Sequence, residues 1–361
     1  MRVAIRVDAS AEIGTGHVRR MLSLSKSLLE LGGEVCFVSR KLGIDFSGLL
    51  APHGIIVHWL DAPTAVRETF NTDIPHGSWA KIDQSGDARE TIEILERAGA
   101  DRVIVDHYAF DARWHSTVSE AQPAPLMVID DLADRELDAS WVVDHNFHPD
   151  HAAKFEGRLS DRCELLAGPR FAMIDPLYAK APRYEFSHKV GSIGIFMGGI
   201  DADGDLLDCL DALAEIGWSG AVEAVVTAHH ASRDIVIERL SNWPHGHVSQ
   251  DLPDLSAFFA RHDIQIGAGG GAIWERCCIG PPTIGLVCAE NQEKSIPFAD
   301  DAGFLWGVGF RDDRKARHAA LVDALSALIA DTERRKAMHT RALQIVDGEG
   351  TIRLARRLID G

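Results

Sequence analysis

The chain has 361 residues, 46% apolar and 25% charged, with a formal net charge of −17. That length is enough for two domains of ordinary size. The acidity argues against nucleic acid or another polyanion as partner, but leaves open a small anionic ligand bound at a local site.

No run of eighteen uncharged apolar residues occurs, so no membrane-spanning helix and no membrane partner are expected. Met1 to Ile5 leads directly into a strand pattern without a signal-peptide core, and the expected location is cytoplasmic. The six cysteines (36, 163, 209, 277, 278 and 288) lack metal-ligand or disulfide-framework spacing and read as reduced thiols, mostly buried.

In chain order, Val3–Val7 reads as a strand and Met21–Leu31 as the helix after it. Glu34–Ser39 and Gly54–Trp59 are strands, Ala88–Ala98 a helix, and Arg102–Asp106, Pro125–Asp130 and Trp141–Asp144 further short strands. Apolar runs of this length that end in polar residues mark parallel strands buried on both faces. Lys180–Ser192, rich in Pro, Arg, Lys and Ser, reads as a linker between a first domain (1–180) and a second (181–361). The second series contains strands at Gly194–Met197, Val222–Val226, Asp263–Gly267 and Pro282–Val287. Its helices are Leu206–Ile216, Asp234–Leu240, Leu252–Arg261, Ala272–Ile279, Arg314–Ala330 and Asp331–Val346. A last helix, Thr351–Leu358, is expected to fold back over the first domain. The fold class is therefore α/β, with two Rossmann-like, doubly wound domains facing a cleft and ligands at the carboxyl ends of the strands.

Two junctions carry chemistry. In "GAGGGAIWERCC", Gly267–Cys278, a strand ends, four glycines follow within five residues, and a helix begins. Glycines let the backbone approach a diphosphate, and the helix start offers free N–H donors. The segment lacks the Lys-Ser/Thr of a P-loop, and it is not the dinucleotide fingerprint. Glu275, one turn in, either accepts the two hydroxyls of a ribose or is a first-turn acid favoured by the helix dipole. "FMGGIDADG", Phe196–Gly204, and "CAENQ", Cys288–Gln292, place further amides at strand ends.

At the first strand, "EIGTGHVRR" puts Gly14 and Gly16 in a tight loop and His17 at the start of a helix, directed at the cleft. Histidine, with an ordinary pKa near 6.5, can take a proton from water at neutral pH; from position alone His17 reads equally as a helix-capping or packed residue. Arg19 and Arg20 read as helix-surface residues, and Asp106, Asp130 and Asp131 as strand-end carboxylates that orient a ligand or cap a helix. His229-His230 and His245-Gly246-His247 read as solvated loop histidines without zinc-site spacing. No metal and no cofactor is expected.

Taken together, "RVDASAEIGTGHVRRMLSL", "VIVDHYAFDARW", "VIDDLADR", "DHNFHPD", "LLAGPRFAMI", "FMGGIDADG", "GAGGGAIWERCCIGPPTIGL" and "AENQ" resemble, in order and over about residues 1–310, a known family. It is the UDP-2,4-diacetamido-2,4,6-trideoxy-β-L-altropyranose hydrolase family of pseudaminic (nonulosonic) acid biosynthesis. That family is similar in fold to GT-B glycosyltransferases, especially the lipid-II-forming N-acetylglucosaminyltransferase. The resemblance implies inverting hydrolysis of a UDP-sugar at the anomeric C–O bond, in the service of flagellin or surface-glycan synthesis; a monomer is expected because no long coiled-coil or exposed-strand signal appears. It implies that His17 is the catalytic base, that Tyr108 lies near the sugar and that Glu275 holds the ribose. Gly269, Gly270 and Gly271 would meet the diphosphate; from the residues themselves, Gly199 could add amides beside it, and Gly14 and Gly16 are expected at the substrate side of the first loop. Asn291 and Gln292 would face the sugar, and the backbone near Leu252 the uracil. The chain departs from the family at three places. Asp144-His145-Asn146 stands where the family reads DQN, "GGIDA" stands for GGSDP, and "GAGGGAIWE" for GAGGSTTWE. The two loop changes remove hydroxyl donors to phosphate. Transfer of the sugar to an acceptor, or binding without catalysis, are the competing functions.

Overall fold

The computed structural model describes residues 1–63, 71–201, 203–290 and 292–361. The chain divides into two compact units, the first formed by 1–146, 150–176 and 349–361, the second by 147–149 and 177–348.

The first unit is built on seven parallel strands: β1 (Arg2–Val7), β2 (Glu34–Arg40), β3 (Ile56–Leu60), β4 (Arg102–Asp106), β5 (Leu126–Ile129), β6 (Trp141–Asp144) and β7 (Glu164–Ala167). Their order is β3-β2-β1-β4-β5-β6-β7. The crossovers run through α1 (Gly16–Glu30), α2 (Gln84–Ala98) and α3 (Ala112–Ala121). Val3, Ala4, Ile5 and Val7 of β1 are all buried, as befits a central strand covered on both faces. The strand order reverses between β1 and β4, and the loops beyond their carboxyl ends therefore diverge and leave a crevice.

The second unit repeats this plan with six parallel strands: β8 (Ser192–Phe196), β9 (Ala221–Val226), β10 (Gly246–Gln250), β11 (Ile264–Ala268), β12 (Thr283–Leu286) and β13 (Trp306–Val308). The order is β10-β9-β8-β11-β12-β13, with the reversal between β8 and β11. Its helices are α4 (Asp205–Glu215), α5 (Arg233–Ser241), α6 (Ser256–Ala260), α7 (Ala272–Ile279), α8 (Gln292–Asp301), α9 (Arg314–Ala330) and α10 (Thr332–Ile345). Helix α11 (Gly350–Asp360) belongs to the first unit. Its Leu354, Ala355 and Leu358 enter the same apolar cluster as Val18, Leu24 and Leu28 of α1, and Ser27 Oγ donates to Thr351 Oγ1 across the contact at 2.8 Å.

Several elements differ from the sequence expectations. α1 begins five residues before Met21, so that Gly16 and His17 are already helical. α6 is a five-residue remnant of the expected Leu252–Arg261 helix. There Asp254 accepts from Ser256 N at 2.9 Å and from Ser256 Oγ, which starts the helix late. β10 is a strand where a loop was expected. It is a polar edge strand that pairs with β9 alone and carries no apolar run to reveal it. α8 carries Pro297 in its interior, and β7, β13 and α3 were also not anticipated.

Leu354 has no exposed surface, and its truncation empties space that α1 cannot refill. Leu354→Ala is expected to lower stability by about 2–5 kcal/mol, read as a shift in the urea midpoint at unchanged m-value.

Candidate active site

The loop after β1 is closed by Gly14 N donating to Ser10 O at 2.8 Å, with Ile13 N on Ser10 Oγ at 3.1 Å. Gly14 has φ +75, a left-handed conformation that glycine adopts without strain. This short closure delivers His17 into the first turn of α1, level with the end of β4.

There the His17 Nδ1 lies 2.6 Å from Asp106 Oδ1. A carboxylate oxygen and an unprotonated ring nitrogen repel each other at that distance, and this contact outweighs the longer approach of Arg20 Nη2 to the same Nδ1 at 3.0 Å, so Nδ1 carries the proton and donates it to Asp106. The second ring nitrogen, Nε2, is then the basic one. Asp106 is buried and also receives Arg20 Nε at 2.6 Å and Arg20 Nη2. The guanidinium holds the Asp106 carboxyl far below the usual carboxylate range against the opposing effect of burial. Because Arg20 balances the Asp106 charge, the carboxylate orients the imidazole without leaving an unmatched anion beneath it.

The ring is walled by aromatics. Tyr108 and Trp79 stand edge-on to it, at 4.8 and 6.0 Å between centroids, and His76 packs on Trp79 at 4.8 Å. The His17 side chain keeps 11% exposure. The Tyr108 hydroxyl donates to Asp131, which also accepts Asn146 Nδ2 at 2.6 Å. Burial, with the Asp131 charge, raises the Tyr108 phenol well above its ordinary value, so it remains a neutral hydroxyl.

Arg20, expected on the helix surface, is instead the second partner of Asp106. Its spacing of three from His17, which puts both on one helix face, was the signal that could have found it. Asp106 and Asp131 are likewise ligands of site side chains. His76 and Trp79 reach the site from a 3₁₀ turn, and nothing local in the sequence marks them.

In the second unit, β11 runs into Gly269, Gly270 and Gly271, and α7 starts beyond them. A Cβ on Gly269 would lie 2.6 Å from Ile296 Cδ1, so the close approach of α8 requires glycine there. At Gly271 a Cβ would meet nothing within 4 Å. Gln292 Oε1 accepts Cys288 N at 2.9 Å, and it would stand 3.1 Å from a Cβ on Gly269. Gln292 thus reaches back to Cys288 and lies close beside the glycine loop. Asn291 lies outside the described residues. Gly199, after β8, accepts the Thr227 hydroxyl on its carbonyl.

Glu275 is half-buried on α7 and hydrogen-bonds the Tyr178 hydroxyl. That hydroxyl also accepts Leu255 N at 3.2 Å. Tyr178, unmarked in the sequence, thereby joins the Glu275 helix to the loop that carries half-buried Leu252. Of the four loop histidines, His229, His245 and His247 are exposed, as expected, and two depart in other ways. His230 is buried 3.3 Å from Asp201 Oδ2, and His247 lies on β10. Among the described residues no group of three or more His, Cys, Asp or Glu is placed to hold a metal ion, and no helix is long and apolar enough to cross a membrane.

Each unit therefore presents side chains or glycine loops at its own strand-reversal point, the architecture of the GT-B class. No family model matches the chain. It is 20% identical over 365 residues to the spore coat polysaccharide biosynthesis protein SpsG of Bacillus subtilis, covering 100% of this chain and 98% of that one. Among solved structures it is similar to Acinetobacter baumannii MurG, with a TM-score of 0.69 and 14% identity over 100% of both chains. The spinosyn rhamnosyltransferase SpnG complexed with thymidine diphosphate gives 0.66 and 16%, covering 99% of this chain and 100% of that one. MnaA of S. aureus in a co-structure with UDP gives 0.63 and 13%, covering 99% and 95%.

His145, where the resembling family reads Gln, is buried and neutral, its pKa pushed down to about 4 by desolvation and by Arg20. As pH falls from about 6.5 towards 4, the unfolded chain takes a proton that the folded chain refuses, so stability declines over that window. His145→Gln is expected to flatten this limb of a plot of Tm against pH. An unaltered slope between pH 6.5 and 4 would contradict it.

Proposed function

We propose that this chain acts on a UDP-sugar and breaks the bond between the anomeric carbon and the diphosphate, with His17 as general base. The observation that carries the reading is the Asp106–His17 pair. An imidazole whose Nδ1 proton is committed to a buried carboxylate at 2.6 Å leaves Nε2 to accept a proton.

In this reaction a nucleophilic oxygen attacks the anomeric carbon from the face opposite the diphosphate. As the new C–O bond forms, its proton passes to His17 Nε2. The old C–O bond breaks, UDP leaves with the bonding electrons, and the centre inverts. Amides of the loops at Gly199 and at Gly269, Gly270 and Gly271, with the start of α7, are suited to receive the charge that develops on the leaving group. No metal is needed for that task. In this reading Glu275, steadied by Tyr178, takes the ribose, the backbone near Leu252 takes the base, and Asn291 and Gln292 face the sugar. Tyr108, neutral and anchored on Asp131, shapes the sugar pocket beside His17.

Transfer to an acceptor hydroxyl has the broader support. The similar solved structures include a rhamnosyltransferase bound to thymidine diphosphate, and SpsG is named for polysaccharide synthesis. Hydrolysis of UDP-2,4-diacetamido-2,4,6-trideoxy-β-L-altropyranose is the second reading. It is favoured by the ordered motif set and by the enclosure of His17 by His76, Trp79 and Tyr108, which suits a nucleophile as small as water.

Two measurements test this. UDP release from a panel of UDP-sugars, followed by NMR of the anomeric product, separates the readings. Release without acceptor at the full rate means hydrolysis, and release only with a glycan acceptor means transfer. His17→Asn is expected to keep UDP-sugar affinity while lowering kcat by about 10²–10⁴-fold. Near-normal turnover would remove His17 from the role.

A further inference from the structure

Arg276 is the residue after Glu275 on α7, and it has no exposed surface. Its Nη2 makes only long hydrogen bonds, 3.4 Å to Phe196 O and 3.3 Å to Ala268 O. Those carbonyls end β8 and β11, the strands that run into the two glycine loops. The Nε and Nη1 groups have no hydrogen-bond partner. The guanidinium stands 5.7 Å from the centre of the Phe259 ring. Among the described residues no carboxylate lies within ion-pair distance of it.

The other large buried arginines are matched. Arg6 pairs with Asp8 and Asp87, and Arg40 with Asp87 and Glu90. Arg335 donates to the carbonyls of Leu328, Ile329 and His188. Arg335 also lacks a carboxylate, but short bonds to three carbonyls satisfy it; Arg276 alone of these has two guanidinium nitrogens without a partner, and burial draws its pKa down to about 10. The fold also makes room for it. A Cβ on Gly267 would run into Nη2, and would lie 2.5 Å from Phe196 O. An unpaired buried cation is costly, and this one lies directly under the place where the two glycine loops diverge.

We infer that Arg276 is a built-in counter-charge for the ligand's diphosphate, acting from beneath the glycine loops without touching it. Before binding, the site carries an unmatched positive charge. A diphosphate on the loop amides balances it through a water-poor layer, where charges interact strongly. Arg276 is thus a positioning and electrostatic residue, and the inference rests on the nucleotide reading of the second unit. The competing role is a neutral one, a clamp that ties the ends of β8 and β11.

The test uses the full chain without added sugar. Affinities for UDP and for uridine are measured by calorimetry and melting temperatures by calorimetric scan, for wild type, Arg276→Met and Arg276→Lys. The UDP-over-uridine affinity ratio is expected to fall about tenfold or more in Arg276→Met, as expected for loss of a buried charge interaction, and to stay within a few-fold in Arg276→Lys. Ligand-free Arg276→Met is expected to melt at or above the wild-type temperature, since an unmatched charge has been removed. An unchanged ratio with a lowered ligand-free melting temperature is the clamp result and overturns the inference alone. If Arg276→Met does not fold, inorganic pyrophosphate on the wild type decides. A raised melting temperature, absent with the same concentration of uridine, supports the counter-charge, and no rise overturns it. Wild type that binds neither UDP nor pyrophosphate overturns the nucleotide reading together with this inference.

Discussion

One carboxylate withdrawn from water sets the chemistry of the first unit. Asp106 closes β4 at the point where the strand order reverses, and its two oxygens are shared between His17 and Arg20. The pairing fixes the imidazole tautomer, and Arg20 balances the carboxylate charge beneath the ring. Everything else near it is arranged around those two bonds. The Ser10–Gly14 closure brings α1 to the right height, Tyr108 hangs from Asp131, and Trp79 and His76 close the remaining sides.

The two units treat buried charge differently. Behind the site of the first, Arg6, Arg40, Asp8 and Asp87 form a closed set at the ends of β1 and β2, with Ser39 and Trp114 adding donors to the carboxylates. Such a set holds one arrangement of loops, because breaking any member strands the others in a low-dielectric interior. The second unit leaves Arg276 incompletely satisfied beneath glycine loops. The matched set of the first unit lies behind His17, and the incompletely satisfied Arg276 of the second lies beneath the glycine loops.

Much of the architecture was legible because central parallel strands must be apolar on both faces. Arg102–Asp106, Trp141–Asp144 and the helix Ala272–Ile279 coincide with the structure at both ends. The losses have a common cause. β10 and β13 are edge strands with half-exposed residues, and in the edge strand β7 only Leu166 is buried, so the apolar signal fades where a sheet stops. At the site, residues on one loop or one helix face could be read together, as with Gly14, Gly16 and His17. Pairings across strands could not. Arg20 with Asp106 spans 86 positions and Tyr178 with Leu255 spans 77, and only the strand order brings such partners together. Arg276 escaped notice because its importance lies in what it lacks.

The return of the final helix has a bearing on biogenesis. Leu354, Ala355 and Leu358 complete an apolar cluster begun by Val3 and Ile5, so the first unit is one helix short until residues 350–360 have been translated. Domains of a nascent chain ordinarily mature from the amino terminus onward. Here the second unit can be finished first, and the first stays unsealed until residues 350–360 have emerged to pack on α1.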